Sequence, residues 1–285
     1  MYQAKPLFTV TLDDANTFET PLLSPRERNQ KILAALDNHR HQGAVFVNGS
    51  FLPGWQGSAI LADWDRRGHL IGNHTYDHSN YHSEAVSVRD FQRDFIRGDD
   101  WIRRCRGYRK LFRFPYLKEG DSADKVTQMR QFLQRMHYRN AYVTIDTSDW
   151  YIDERMTARL ALDPQQPLAG YKAYYLGHVL ERANYYQDLS HRVLGRPVCH
   201  TVLLHSNLLN ALFLDELLGH MQAHGWQLAD AEQAYGEHYL EQQSNSLPAG
   251  ESRIWSLARA GDIPGLRYPA EGADYEAAKM EAMGL

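Results

Sequence analysis

The sequence predicts an α/β fold in which seven strands alternate with helices around a parallel sheet, most simply a β/α barrel. Three observations predict it. Short apolar runs rich in β-branched and aromatic residues alternate along the chain with segments of helical spacing. A chain of 285 residues suits one decorated barrel, since such barrels run about 200 to 250 residues before embellishment. The acidic and histidine clusters fall at the carboxyl ends of the expected strands, and in a β/α barrel those ends share one rim.

Leu7 to Leu12 alternates and reads as the first strand, with Asp13 and Asp14 at its end. Ser24 and Pro25 form an N-cap and an N1 proline, and Ile32, Leu33 and Leu36 carry a helix over 26–40. Ala44 to Val47 is a short buried strand, and a helix over about 58–67 stops at Gly68. Leu70 to Gly72 is the third strand. Phe91, Phe95, Ile96, Trp101 and Ile102 predict a helix over 87–106, followed by a strand from Lys110 to Phe114 that Pro115 ends. A helix over 123–138 precedes a fifth strand, Ala141 to Ile145, ending on Asp146-Thr-Ser-Asp-Trp150. The segment 163–167 is a loop and 168–194 a long, tyrosine-rich helix. Thr201 to Leu204 is a strand ending on His205, followed by a helix over about 212–223 and a last strand at 226–228. The tail after Tyr239 is polar and punctuated by glycine and proline, with Trp255, Leu257, Leu266 and Tyr268 spaced to drape over the body.

Composition excludes several classes. A formal charge of −4 offers no basic field for nucleic acid or an anionic membrane. The densest cationic cluster, Arg103, Arg104, Arg106, Arg109 and Lys110, follows Asp99 and Asp100 and reads as a solvated helix end. No run of 18 apolar residues exists, so no membrane span is expected. The two cysteines, Cys105 and Cys199, lie in no C-x-x-C pattern, and their pairing stays open. The amino terminus shows no basic and apolar leader, which leaves a cytoplasmic site, or a periplasmic or secreted one if a leader has been removed. Oligomeric state is not legible.

The stretch Leu70-Ile-Gly-Asn-His-Thr-Tyr-Asp-His78 carries the sharpest chemical signal. His74 and His78 stand four apart, a spacing that lets two imidazoles converge on one ion where the backbone coils. Each polar motif also has a plain reading. An Asp-Asp pair after a strand is commonly a turn or cap, Arg113 can pair with a surface carboxylate, and Asp149 can cap a following helix. Asp77 reads as a turn former, and His82 and the other histidines as surface or core residues. Gathered on one rim, the motifs favour a site.

Taken in order, Leu12-Asp-Asp-Ala15, His74-Thr-Tyr-Asp-His78, Arg113-Phe-Pro-Tyr116, Asp146-Thr-Ser-Asp-Trp150 and Val202-Leu-Leu-His205 resemble the five motifs of the polysaccharide deacetylase family, also called carbohydrate esterase family 4 or the NodB homology domain. The resemblance spans about 7 to 229. It implies an irregular seven-stranded (β/α) barrel, with 1–240 as the deacetylase-like catalytic domain and 241–285 as a C-terminal extension packing on it. Two departures stand out: Ala15 replaces the usual glycine, and Val202 stands where leucine is usual.

The resemblance also implies roles. Asp14, His74 and His78 would hold a divalent metal, zinc first, with cobalt, nickel or iron as alternatives. Asp13 would be the general base, kept ionised by Arg113. His205 would protonate the leaving group with Asp149 as its partner. The backbone N–H of Tyr116 would bind the developing oxyanion, Trp150 would wall the sugar groove, and Val202 would shape the acetyl pocket. Asp146 and Thr75 would support them. The expected activity is removal of N- or O-linked acetyl groups from an acetylated glycan. Hydrolysis of a small amide, formamide or imide, or glycan binding without turnover, are the other readings.

Overall fold

The computed structural model describes residues 5–242, 244–270 and 272–285. Its body is an α/β half-barrel of seven parallel strands. Leu7–Asp13 (β1) lies between Ala44–Val47 (β2) and Cys199–His205 (β8), with Leu70–Asn73 (β3), Tyr108–Phe112 (β4) and Arg139–Asn140 (β6) beyond β2, and Ile145–Asp146 (β7) beyond β8. Every neighbouring pair in this path is parallel. Lys118–Gly120 (β5) lies outside it, in an antiparallel ribbon with Ala249–Gly250 (β10).

Helices cover the outer face: Pro25–Asn38 (α1), Gly54–Arg66 (α2), Val88–Ile102 (α3), Ala123–Arg135 (α4), Asp149–Leu162 (α5), Ala169–Leu194 (α6) and Leu208–Ala223 (α7). Strand alternation sorts the side chains. Val10, Leu12, Val202 and Leu204 turn outward into the main core with Leu33, Leu36, Leu214 and Leu218, whereas Thr9, Thr11 and Asp13 turn inward. A second, aromatic core under α3 and α4 joins Phe91, Phe95, Phe112, Phe114 and Phe132.

The predicted N-cap of α1 is a full capping box, with Ser24 N donating to Glu27 Oε2 at 2.9 Å and Glu27 N donating back to Ser24 Oγ at 3.4 Å. Other expectations are corrected. The fifth strand is not continuous: Ala141 N donates to Phe112 O of β4, while Thr144 N donates to Thr201 O of β8. The chain crosses from one neighbour to the other over four residues and cannot ladder with both, so it splits into β6 and β7 and the half-barrel stays open between them. The expected last strand, Gln227–Leu228 (β9), lies off the path, against Leu7 and Phe8 at the end of β1 that β2 leaves unpaired. Seven strands therefore stand in the path, though not the seven expected. Helix α5 occupies 149–162, where no helix was delimited, with Ile152, Met156 and Leu160 facing inward.

The tail holds more structure than its composition suggests. After the short helix Ala231–Ala234 (α8) come β10, Arg253–Ala260 (α9) and Asp274–Ala282 (α10). Ile254, Ala258 and Met280 enter the main core. Cys105 and Cys199 are free thiols. Among the described residues no helix is long and apolar enough to cross a membrane.

Candidate active site

The inward row of β1 ends at Asp13, level with His205 on β8, so two strands deliver these groups side by side. The next residue, Asp14, takes a left-handed conformation (φ 60°) that turns its carboxylate over the rim. Aspartate tolerates that region better than most residues. Because the turn falls on Asp14, Ala15 carries its β-carbon without strain and is buried in the core.

After β3 the chain coils tightly enough for His74 and His78 to converge. Asn73 Oδ1 accepts from Thr75 N at 2.9 Å, and Thr75 Oγ1 accepts from His78 N at 3.0 Å, with Thr75 and His78 both at positive φ. Asp94 of α3 fastens the turn from outside, its Oδ1 accepting from Tyr76 N and Asp77 N at 3.0 and 2.7 Å. Gly98 lets α3 approach, because a β-carbon there would lie 2.5 Å from Asn73 Oδ1 and 2.7 Å from Thr75 O. Asp77 points outward and pairs with Arg97. His82 bonds the Ala249 carbonyl at 2.8 Å and stays out of the site.

His74 Nδ1 lies 2.8 Å from the Arg113 carbonyl, which can only accept. The proton therefore sits on Nδ1 and the Nε2 lone pair faces the site, the usual way a protein fixes a ligating imidazole. Nε2 of His74 and of His78 lie 3.7 and 3.6 Å from Asp14 Oδ1. That oxygen is buried and has no hydrogen-bond partner among the described residues. Three donors of this kind, all within 4.8 Å of one another, fit a divalent cation. Burial holds both imidazoles below the ordinary histidine range, helped at His74 by the neighbouring His78 and opposed at His78 by the Asp14 carboxylate, and so in the neutral form a metal needs.

Asp13 is 2 % exposed, and its Oδ1 accepts from Arg113 Nη1 at 2.7 Å. The pairing is the expected one, but its effect is smaller than expected. Burial outweighs the guanidinium and pushes Asp13 up to about 6. Arg113 is itself fully held: Nε donates to Ala141 O, Nη1 also to Thr11 Oγ1, and Nη2 to the Tyr235 hydroxyl at 2.7 Å. Tyr235 follows α8 and carries no motif, so nothing in the chain around it marks it as a site residue. Replacing it with phenylalanine leaves a buried guanidinium N–H unpaired, and Tyr235→Phe should cost about 1 to 3 kcal/mol of stability in urea unfolding.

On the other flank, His205 Nδ1 lies 2.7 Å from Asp149 Oδ1, and His205 N donates to Asp149 Oδ2 at 2.9 Å. Burial pushes Asp149 up, but His205 and the amides of Asn207 and Asn210 outweigh it and hold the carboxylate below its ordinary value. Asn210, like Tyr235, was invisible as a site residue. Asp146 braces the same turn by accepting from Ser148 N at 3.1 Å. Tyr116 stands in the left-handed region (φ 56°) with its ring centroid 4.5 Å from that of His78. Trp150, Phe18, Phe51, Ser206 and His205 line a pocket of about 240 Å³ that reaches Asp14. Trp150 Nε1 and Ser206 Oγ are buried there without partners among the described residues.

Val202 does not reach the site. It lies three residues before His205, so strand alternation turns it outward, into the core beneath the helices; Leu203, on the same face as His205, packs instead with Leu117 and Val143.

Fold and geometry thus define an α/β half-barrel with a His-His-Asp trio on its rim, flanked by an arginine-paired aspartate and an aspartate-paired histidine. A family model described as polysaccharide deacetylase matches residues 3–140, just under half of the chain. Among solved structures, the chain is similar to the peptidoglycan deacetylase PdaC from Bacillus subtilis, at 20% identity and a TM-score of 0.52 over 81% of this chain and 91% of that one. It is similar to a family 4 carbohydrate esterase from Streptomyces lividans in complex with acetate, at 15% identity and a TM-score of 0.51 over 80% and 93% of the two chains. It is also similar to a pseudoenzyme of carbohydrate esterase family 4 from Bacillus anthracis, at 16% identity and a TM-score of 0.53 over 86% and 69%. At these identities the likeness is one of fold. No curated protein matches the sequence. Asp149 and His205 lie beyond the stretch the family model matches.

Proposed function

We propose that this protein is a metal-dependent hydrolase that removes acetyl groups from a carbohydrate. The observation that carries this reading is the unpartnered Asp14 Oδ1 facing two histidine nitrogens, with Asp13 on one side and His205 on the other. Asp14, His74 and His78 would hold a divalent cation, which when bound would polarise the carbonyl and bring the pKa of a water to about 7.

The chain's own residues supply the rest. Asp13 accepts the proton of the attacking water while Arg113 fixes its carboxylate. His205, held by Asp149, returns a proton to the departing amine or alkoxide. The backbone N–H of Tyr116 takes the developing oxyanion, a contact worth about a hundredfold or more in rate. Trp150 offers a flat wall and an indole N–H to a sugar. The peptidoglycan deacetylase and carbohydrate esterase among the similar structures support a glycan substrate.

One observation favours a second reading, a small amide on the same scaffold. The pocket of about 240 Å³ is below the roughly 300 to 1,000 Å³ of most ligand sites. Acetate release from acetylated glucosamine oligomers and from acetylated xylan, measured with and without chelator, separates the two. Metal-dependent release supports the proposal. Release that survives complete metal removal overturns the mechanism, and formamide hydrolysis without acetate release from any glycan replaces the substrate.

A further inference from the structure

The two loops that bring Tyr116 and Asp149 to the rim are each bent through left-handed residues. Tyr116 and Leu117 stand at φ 56° and 52°, and Ser148 at φ 49°. Such conformations are strained for a side-chain-bearing residue and persist only where surrounding bonds over-determine them. In both loops some of those bonds come from the C-terminal tail.

At the first loop, β10 pairs with β5 immediately after the turn, and Glu251 N donates to Leu117 O at 3.1 Å. Gly250 passes so close that a β-carbon would lie 2.1 Å from the Leu117 carbonyl, and its φ of 137° suits glycine alone. At the second loop, Ser148 Oγ donates to Gly272 O at 3.0 Å. Behind it, His178 Nε2 donates to Thr147 O at 2.9 Å and lies 3.3 Å from Glu276 Oε1, which also pairs with the buried Arg182. Between the loops, where the half-barrel is open, Arg253 N donates to Val143 O at 2.6 Å, and Ala270 packs on Leu117, Val143 and Leu203.

We propose that the tail is a positioning element for the reaction, a clamp that closes the open edge of the half-barrel and holds the Tyr116 and Asp149 loops in register with the metal trio. This rests on the hydrolase reading above. None of its described residues is among those that form the metal trio or its two flanking pairs.

The test uses full-length protein with Ser148→Ala, which removes the tie to Gly272, and Gly250→Ala, which forces the tail strand off Leu117. Lys279→Ala, in an exposed tail pair with Glu181, is the control. Each of the first two should lower kcat about tenfold to a hundredfold, the loss expected of a displacement near 1 Å, with KM within about twofold and bound metal unchanged. Amide hydrogen exchange should rise about fivefold or more at 145–150 in Ser148→Ala and at 115–120 in Gly250→Ala, each confined to its own loop. Lys279→Ala should change neither. Exchange that is unaltered, or raised evenly over the whole chain, overturns the clamp. If the native protein releases no acetate, the hydrolase reading fails, and the exchange pattern still decides whether the tail fastens the loops.

Discussion

Asp13→Asn is expected to abolish turnover while leaving the bound cation in place. The substitution keeps the size of a side chain that is 2 % exposed, and the amide oxygen can still accept from Arg113, but it removes the charge that balances the buried guanidinium, so stability is expected to fall even though the fold is kept. It removes a carboxylate that stands beside the trio without belonging to it, His74 Nε2 lying 3.5 Å from Asp13 Oδ2. General-base catalysis contributes about 10² to 10⁴ in rate, and the loss of kcat should fall in that range. Acetate release and metal content, measured on the same preparation, check it. Loss of metal alongside activity would place Asp13 among the ligands and leave the site without a separate base.

His78→Ala is expected to give the opposite pattern, with metal and turnover lost together. Among the described residues three donors converge here, so removing one leaves two, too few to hold a cation against competing water. The His78 ring also lies between Phe51 and Tyr116, with centroids at 5.6 and 4.5 Å, so its removal opens space at the oxyanion loop as well. Activity should fall to background, and added zinc or cobalt should restore little of it. Metal content equal to that of Asp13→Asn would contradict the division of labour between the two residues.

The site was legible because its chemistry is concentrated at strand ends, where short motifs and fold topology coincide. Asp13, Asp14, His74, His78, Arg113, Asp149 and His205 all meet on the rim, as the five motifs imply. What the sequence hid is what depends on packing between distant segments. Tyr235 reaches Arg113 from across the fold, and nothing around it in the chain marks it. Val202 was misplaced because its position in a motif was read without counting strand alternation back from His205. The fifth strand was read as continuous from its β-branched run, but two neighbours compete for its backbone and divide it. The tail looked like a covering because its composition is polar, yet Glu276 lies fully buried against Arg182 and His178. Asp13 illustrates a balance of forces that spacing cannot reveal: an arginine beside a carboxylate predicts a lowered pKa, and only the depth of burial reverses the sign.

Strand β1 is flanked by β2, β8 and β9, whereas β7 is two residues long and leans on β8 alone. The aspartates at the end of β1 are therefore anchored in the middle of the sheet, while Asp149 follows a short strand at its edge. Water attack and leaving-group departure would then be served by frameworks of unequal compliance.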